Sequence, residues 1–171
     1  RLSNTVSMLL GNGNGTFQNQ QAFATGTRPY SITLGDVNGD GHLDLAVANA
    51  SSNTVSVLLG NGNGTFQDQQ TFATGSSPRA VTLGDVNGDG KLDLAVANWG
   101  SDPFSFSTVS LLLGNGNGTF QPQQTFTVGS NPISVTLDDV NNDGKLDLTV
   151  ANNGSNTLSV LLNPLKGDFT G

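Results

Sequence analysis

The chain has 171 residues and a net charge of −7, from 13 acids and 6 bases, with no cysteine and no apolar run long enough to span a bilayer. Every acid is an aspartate and the bases form no stripe, which excludes a nucleic-acid-binding surface, disulfides, thiolate metal sites and a membrane-spanning helix. No basic segment followed by a short apolar stretch marks a leader, so the chain reads as soluble and already processed.

Taken in order, the segment NTVSMLL from Asn4 reads as a strand, and GNGNGTFQ from Gly11 reads as a hairpin connection. Asn and Gly supply the positive φ that tight turns between strands require. A phosphate-cradling glycine loop would need a following helix N-terminus or a lysine, and neither is present. A last strand through Phe23 completes a partial blade over residues 1–28. The next stretch brings an inner strand, Ser31 to Leu34, then GDVNGDG from Gly35, then the strand-length runs LDLAVAN and TVSVLL, a second GNGNGTFQ from Gly60, and a strand through Phe72.

From here the chain repeats. The acidic string returns at Gly84 and, as DDVNNDG, at Asp138, and GNGNGTFQ returns at Gly114. Its second interval is longer by the insertion WGSDPFSFS, Trp99 to Ser107, which replaces Ala50 to Asn53. No window shows a 3.6-residue period, and there is no glutamate to close a capping box. The expected fold is therefore all-β, with β-propeller blades of four antiparallel strands in repeats of 49 and 54 residues. One repeat domain over 1–171 divides into a partial blade (1–28), blades at 29–77 and 78–131, a partial blade (132–163), and a tail or start of the next repeat (164–171). LDLAVAN is small or apolar on both faces, as befits a sheet packed between two others. Phe17, Phe66 and Phe120, with Phe23, Phe72 and Phe126, are expected in the core between blades.

Nine of the aspartates stand in the three loops. In DVNGDGHLD, the side chains of Asp36, Asn38, Asp40 and Asp44 fall at positions 1, 3, 5 and 9, with the backbone carbonyl of His42 at position 7. The second loop repeats this with Asp85, Asn87, Asp89, Lys91 and Asp93, and the third with Asp139, Asn141, Asp143, Lys145 and Asp147. Oxygen ligands at alternate positions, with a sharp turn at position 6, suit one hard cation such as Ca²⁺ per loop, about three ions in all. Three divalent ions would bring the net charge close to zero. Position 12 holds valine and a strand follows, so this is not an ordinary EF-hand. Lysine at the equivalents of His42 argues against a general-base or imidazole-ligand role for it. In the third loop Asn142 replaces a glycine, and asparagine tolerates the same left-handed turn.

DVNGDGKLDLAVAN, Asp85 to Asn98, resembles the calcium loop and following strand of FG-GAP/VCBS-type repeats, found in integrin α-subunit-like propellers and many secreted bacterial proteins. The resemblance covers essentially the whole chain. LAVAN stands where integrin-like repeats carry a GAP-type ending, which places the chain nearer the bacterial branch. The resemblance implies a propeller of about seven blades, calcium between inner and second strands, and a role in adhesion, surface recognition or scaffolding.

Three blades should not close a ring. The chain begins at a third strand, and its tail Gly167 to Gly171 resembles the start of a further loop. It is therefore expected to be part of a longer protein, or a unit completed by another copy through its blade edges. Function is expected to be that of a calcium-supported module for extracellular adhesion or recognition of a protein or carbohydrate ligand. Irregular loops on rigid scaffolds are where recognition often sits, and Trp99, Phe104 and Phe106 lie in the only segment that breaks the repeat. The alternative is a purely structural or assembly repeat. A propeller-based polysaccharide lyase or hydrolase would need a unique acid/base constellation, whereas these acids are repeated, and Asp68, Asp102 and Asp138 have no evident partner. No enzyme is expected. Extracellular calcium modules bind in a range that cytosolic calcium leaves empty, which points to a secreted or cell-surface location.

Overall fold

A computed structural model describes residues 3–101, 107–165 and 168–170, and among them every regular element is a strand. Three four-stranded antiparallel sheets follow one another, each an up-and-down meander. The first runs β3 (Pro29–Gly35), β4 (Asp44–Asn49), β5 (Thr54–Leu58) and β6 (Gln70–Ala73). The second is β7 (Pro78–Gly84), β8 (Asp93–Asn98), β9 (Thr108–Leu112) and β10 (Gln124–Thr127). The third is β11 (Pro132–Asp138), β12 (Asp147–Asn152), β13 (Thr157–Leu165) and β14 (Asp168–Thr170). Ahead of them, β1 (Thr5–Met8) and β2 (Gln21–Ala24) pair as the third and fourth strands of a blade.

The tail departs from its sequence reading as the start of a further loop. Segment 168–170 pairs with β13 through Leu162 with Thr170 and Leu165 with Asp168, and so forms the outer strand of the third sheet. Pairing there covers a strand edge that would otherwise expose unpaired N–H and C=O groups.

The sheets stack face to face because their second strands are apolar on both sides. All six residues of β4 and all six of β8 are buried. Their Leu-Ala-Val-Ala alternation makes the two faces unequal. Ala46 and Ala48 of the first sheet meet Leu94 and Val96 of the second. Ala95 and Ala97 of the second sheet then meet Leu148 and Val150 of the third. On the other side of the first sheet, Leu45 and Val47 pack with Val6 and Phe23. Four of the phenylalanines expected between blades bridge successive sheets edge to face, Phe23 with Phe66 and Phe72 with Phe120, at centroid distances of 5.2 and 5.3 Å. Phe17, expected in a core, is 65% exposed.

Close stacking leaves no room at the end of an inner strand. A Cβ built on Gly84 would lie 2.9 Å from both Leu137 Cδ1 and Leu146 Cδ1 of the next sheet. Asp138 holds the equivalent place in the third sheet and is exposed. Gly84→Ala is expected to cost about 1–3 kcal/mol, the usual cost of overpacking, read as a lower urea midpoint at unchanged slope. Gly84→Asp should cost more, and a neutral outcome for both would contradict this packing.

Candidate functional site

The fold separates two ends. At one, the acidic loops join inner to second strands, and the GNGNGTF turns lie beside them. These turns form hairpins as expected, with Gly13 and Gly15 at φ 78° and 85° and Asn12 N donating to Thr16 O at 2.9 Å.

Each acidic loop is wrapped around its own carboxylates. Asp36 Oδ1 accepts from the N–H of Gly39 at 2.7 Å and of Asp40 at 3.2 Å, and Oδ2 accepts from Gly41 N at 2.8 Å. Asn38 Oδ1 accepts from Asp40 N at 3.1 Å, and Asp40 Oδ1 from His42 N at 2.8 Å. The second loop repeats the set, with Asp85 accepting from Gly88, Asp89 and Gly90, Asn87 from Asp89, and Asp89 from Lys91. In the third, Asp139 accepts from Asp143 and Gly144, Asn141 from Asp143, and Asp143 from Lys145. Asn142 holds φ 61° where Gly39 and Gly88 have 76° and 69°, so the turn keeps its shape.

Position 9 plays a part that spacing alone did not reveal. Asp44, Asp93 and Asp147 are buried, at 1%, 0% and 0% exposure. Asp93 Oδ2 accepts from Val86 N at 3.0 Å and Oδ1 from Gly114 N at 2.8 Å. Asp44 does the same with Val37 and Gly60, and Asp147 with Val140 and Asn163. Each thus clamps its loop to the end of the third strand. Burial pushes the carboxyls of Asp44 and Asp93 up, and the charges of Asp40 and Asp36, or of Asp89 and Asp85, push the same way against those N–H bonds. Asp36, in contrast, is held low, chiefly by the Gly41 N–H.

The side chains at position 7 turn away from the loop interior or back onto its rim. The His42 imidazole lies against Gly62. Lys91 Nζ stands 3.5 Å from Asp89 and Lys145 Nζ 3.2 Å from Asp143. The available donors are carboxylate, amide and carbonyl oxygens throughout, the chemistry of a hard cation. Among the described residues, no three His, Cys, Asp or Glu side chains converge on one metal-sized point.

At the opposite end lies a cluster that sequence reasoning saw only in part. The inner strands β3, β7 and β11 each carry a register shift next to their first proline, at Tyr30, Arg79 and Ile133. Such bulges re-aim a side chain out of the ladder. The Arg79 guanidinium lies 4.0 Å from the ring centre of Tyr30 in the neighbouring sheet and 4.9 Å from that of Trp99. Arg28 lies 5.4 Å from the Tyr30 ring, and its Nη2 donates to the Tyr30 hydroxyl at 3.4 Å. The charges of Arg79 first, and of Arg28, hold the Tyr30 phenol below its ordinary value. Trp99 is anchored by its backbone, its N–H donating to Ser77 O at 3.0 Å and its carbonyl accepting from Ser107 Oγ at 3.0 Å. Phe104, Phe106 and Asp102 lie outside the described residues. Tyr30, Arg79 and Arg28 went unnoticed because they do not repeat. The usable signal was that equivalent positions hold Tyr, Arg and Ile, in a chain with a single tyrosine and a single tryptophan.

Among the described residues no helix is long and apolar enough to cross a membrane. No curated protein matches the chain. A solved lectin of Agrocybe aegerita, described as specifically recognising non-reducing terminal N-acetylglucosamine, shares the fold at 21% identity and a TM-score of 0.59, over 98% of this chain and 45% of that one. A chain of the Photorhabdus luminescens Tc holotoxin pore matches at 18% identity and a TM-score of 0.50, over 91% of this chain and 8% of that one. The chain thus spans less than half the length of either. The FG-GAP-like repeat model matches residues 1–47, 36–96 and 96–150. With three matches along a chain of successive four-stranded sheets, the protein belongs to the FG-GAP-like repeat family and is built as part of a β-propeller.

Proposed function

We propose that this chain is a non-catalytic, calcium-supported recognition module of an extracellular protein, binding a carbohydrate through the end opposite its acidic loops. The observation that carries this reading is the placement of Trp99. The one segment that departs from the repeat brings the only tryptophan into an aromatic and cationic cluster between two rigid sheets. Aromatic side chains on a fixed scaffold are suited to stacking on sugar rings, and the fold likeness to a lectin supports the same class of ligand.

In this reading Ca²⁺ is structural. Asp36, Asn38, Asp40, the His42 carbonyl and Asp44 would hold it in the first loop, with Asp85, Asn87, Asp89, Lys91 and Asp93, and Asp139, Asn141, Asp143, Lys145 and Asp147, doing so in the others. The all-oxygen donor set and the two further carboxylates beside Asp44 and beside Asp93 support it. The ion neutralises the loops and leaves the opposite end to the ligand. The repeated acids and the outward-turned His42 offer no acid/base pair of the kind a lyase or hydrolase needs.

A glycan array probed in millimolar calcium and again in excess chelator tests the module. Binding that needs calcium and falls at least about tenfold in Trp99→Ala is the expected result. Binding indifferent to Trp99 would move the ligand site elsewhere, and no bound glycan or protein in either condition would refute recognition. A second reading, assembly through blade edges, is favoured by Leu158, Val160 and Leu162, which are 63%, 42% and 40% exposed on β13. Solution mass separates the two, since the recognition module is expected to run as a monomer.

A further inference from the structure

We infer that the cluster of Arg79, Tyr30, Trp99 and Arg28 selects an acidic saccharide, a sugar unit bearing a carboxylate. This rests on the carbohydrate reading above and names the charge of its ligand. Among the described residues there are four cationic side chains, and they divide cleanly. Lys91 and Lys145 pair with aspartates of their own loops at 3.5 and 3.2 Å. Arg28 and Arg79 pair with no carboxylate among the described residues, and they converge on the same tyrosine in a chain of net charge −7.

Arg79 is half-buried, and its Nε is fully buried without a hydrogen-bond acceptor. Two aromatic rings hold its guanidinium in place mainly through their faces, with the Tyr30 hydroxyl as a further partner. With Nε sealed from solvent, the terminal nitrogens are the donors left for a ligand, and a carboxylate is the group that a guanidinium takes in two parallel bonds. The neighbouring rings offer the apolar surface on which a sugar face rests. The nine loop aspartates stand at the far end of the strands, so an anion approaching here meets local positive charge.

Arg28 adds a second, independent sign. It holds φ 61°, a positive value uncommon for a side chain of its kind, at a position where the other blades have Ser77 and Asn131 at 53° and 55°. Asparagine is the residue better suited to that backbone, and its presence in one blade shows that the position accepts it. Arginine is kept where it strains the chain and where its charge reaches Tyr30, and strain of this sort gathers at binding sites.

Trp99 is the only tryptophan, so its emission reports this site directly. The calcium-loaded protein is titrated with a galacturonate disaccharide and with sialyllactose, then with the neutral N-acetylglucosamine disaccharide and a tri-aspartate peptide. Saturable changes with either acidic sugar, weakened by salt, are expected, and comparing the two separates a ring uronate from a sialic acid. Calorimetry on Arg79→Gln and Arg79→Lys should each show at least about tenfold weaker binding, the factor for losing a charged hydrogen-bonded pair. Arg28→Asn should weaken binding several-fold while its Tm stays level or rises, an outcome that a misfolded variant cannot mimic. If the neutral sugar binds as well and Arg79→Gln leaves it unchanged, acid selection is refuted while carbohydrate recognition stands. If the peptide binds as tightly as the sugars, the site reads charge alone and the saccharide assignment falls. If nothing binds, both readings fall.

Discussion

Going from excess chelator to calcium at about 100 times the site dissociation constant should stabilise the protein by about 2.7 kcal/mol for each loop that fills. For a chain of this size, about 2–4 °C accompanies each kcal/mol, so one site raises Tm by about 5–10 °C and three by about 15–30 °C. The expectation follows from charge. In each of the first two loops burial disfavours the charge of Asp44 or Asp93, and two further carboxylates add a smaller repulsion. A divalent ion removes that repulsion and ties the loop. Thermal unfolding followed by the β-type circular dichroism signal, with magnesium as the control, makes the measurement. Asp36→Ala and Asp85→Ala should each remove one step of the shift. An unchanged Tm would mean that the loops stand on their N–H bonds alone, and the extracellular assignment would lose its support.

The second large effect does not depend on any ion. Asp93→Ala in excess chelator should cost about 3–5 kcal/mol, since it strips the acceptor from the buried N–H groups of Val86 and Gly114 together, at about 1–3 kcal/mol each. Against a total stability of about 5–15 kcal/mol for a domain, that is enough to populate the unfolded chain. Asp93→Asn keeps one acceptor and should lose about half as much. Asp89→Ala, an exposed neighbour in the same loop, should change chelated stability little and reduce the calcium shift instead. Equilibrium urea unfolding of the three variants decides the matter. Equal losses for Asp93→Ala and Asp89→Ala in chelator would show that position 9 is no clamp.

Much of this architecture was legible in the residues. Strand-length β-branched runs between Asn-Gly turns announced four strands per period, and the apolar character of both faces of LDLAVAN announced stacked sheets. Those signals are local, written within one repeat and copied into the next. The acidic loops were legible in the same way, but only as a set of equals. What distinguishes Asp44 from Asp36 is the N–H of Gly60, 16 residues away, and loop spacing carries no trace of it. The place of Trp99 was legible as an irregularity, whereas its partners were hidden. Tyr30 and Arg79 meet only because a bulge turns each out of its strand and the sheets stack at that height. A pattern search that rewards repetition passes over the positions where repetition is broken.

The unequal faces of the blades also govern how copies of this chain could meet. In the first two sheets the second strand turns leucine and valine to one side and alanine to the other, where Val55 and Val57 of β5, or Val109 and Leu111 of β9, stand beside the alanines, so the stack has a direction. If copies of this chain associate through the faces of their sheets, a head-to-tail contact repeats the join already made between successive sheets. Contacts of that kind are heterologous, and they end in a closed ring when the rotation per subunit divides the circle and in a fibre when it does not.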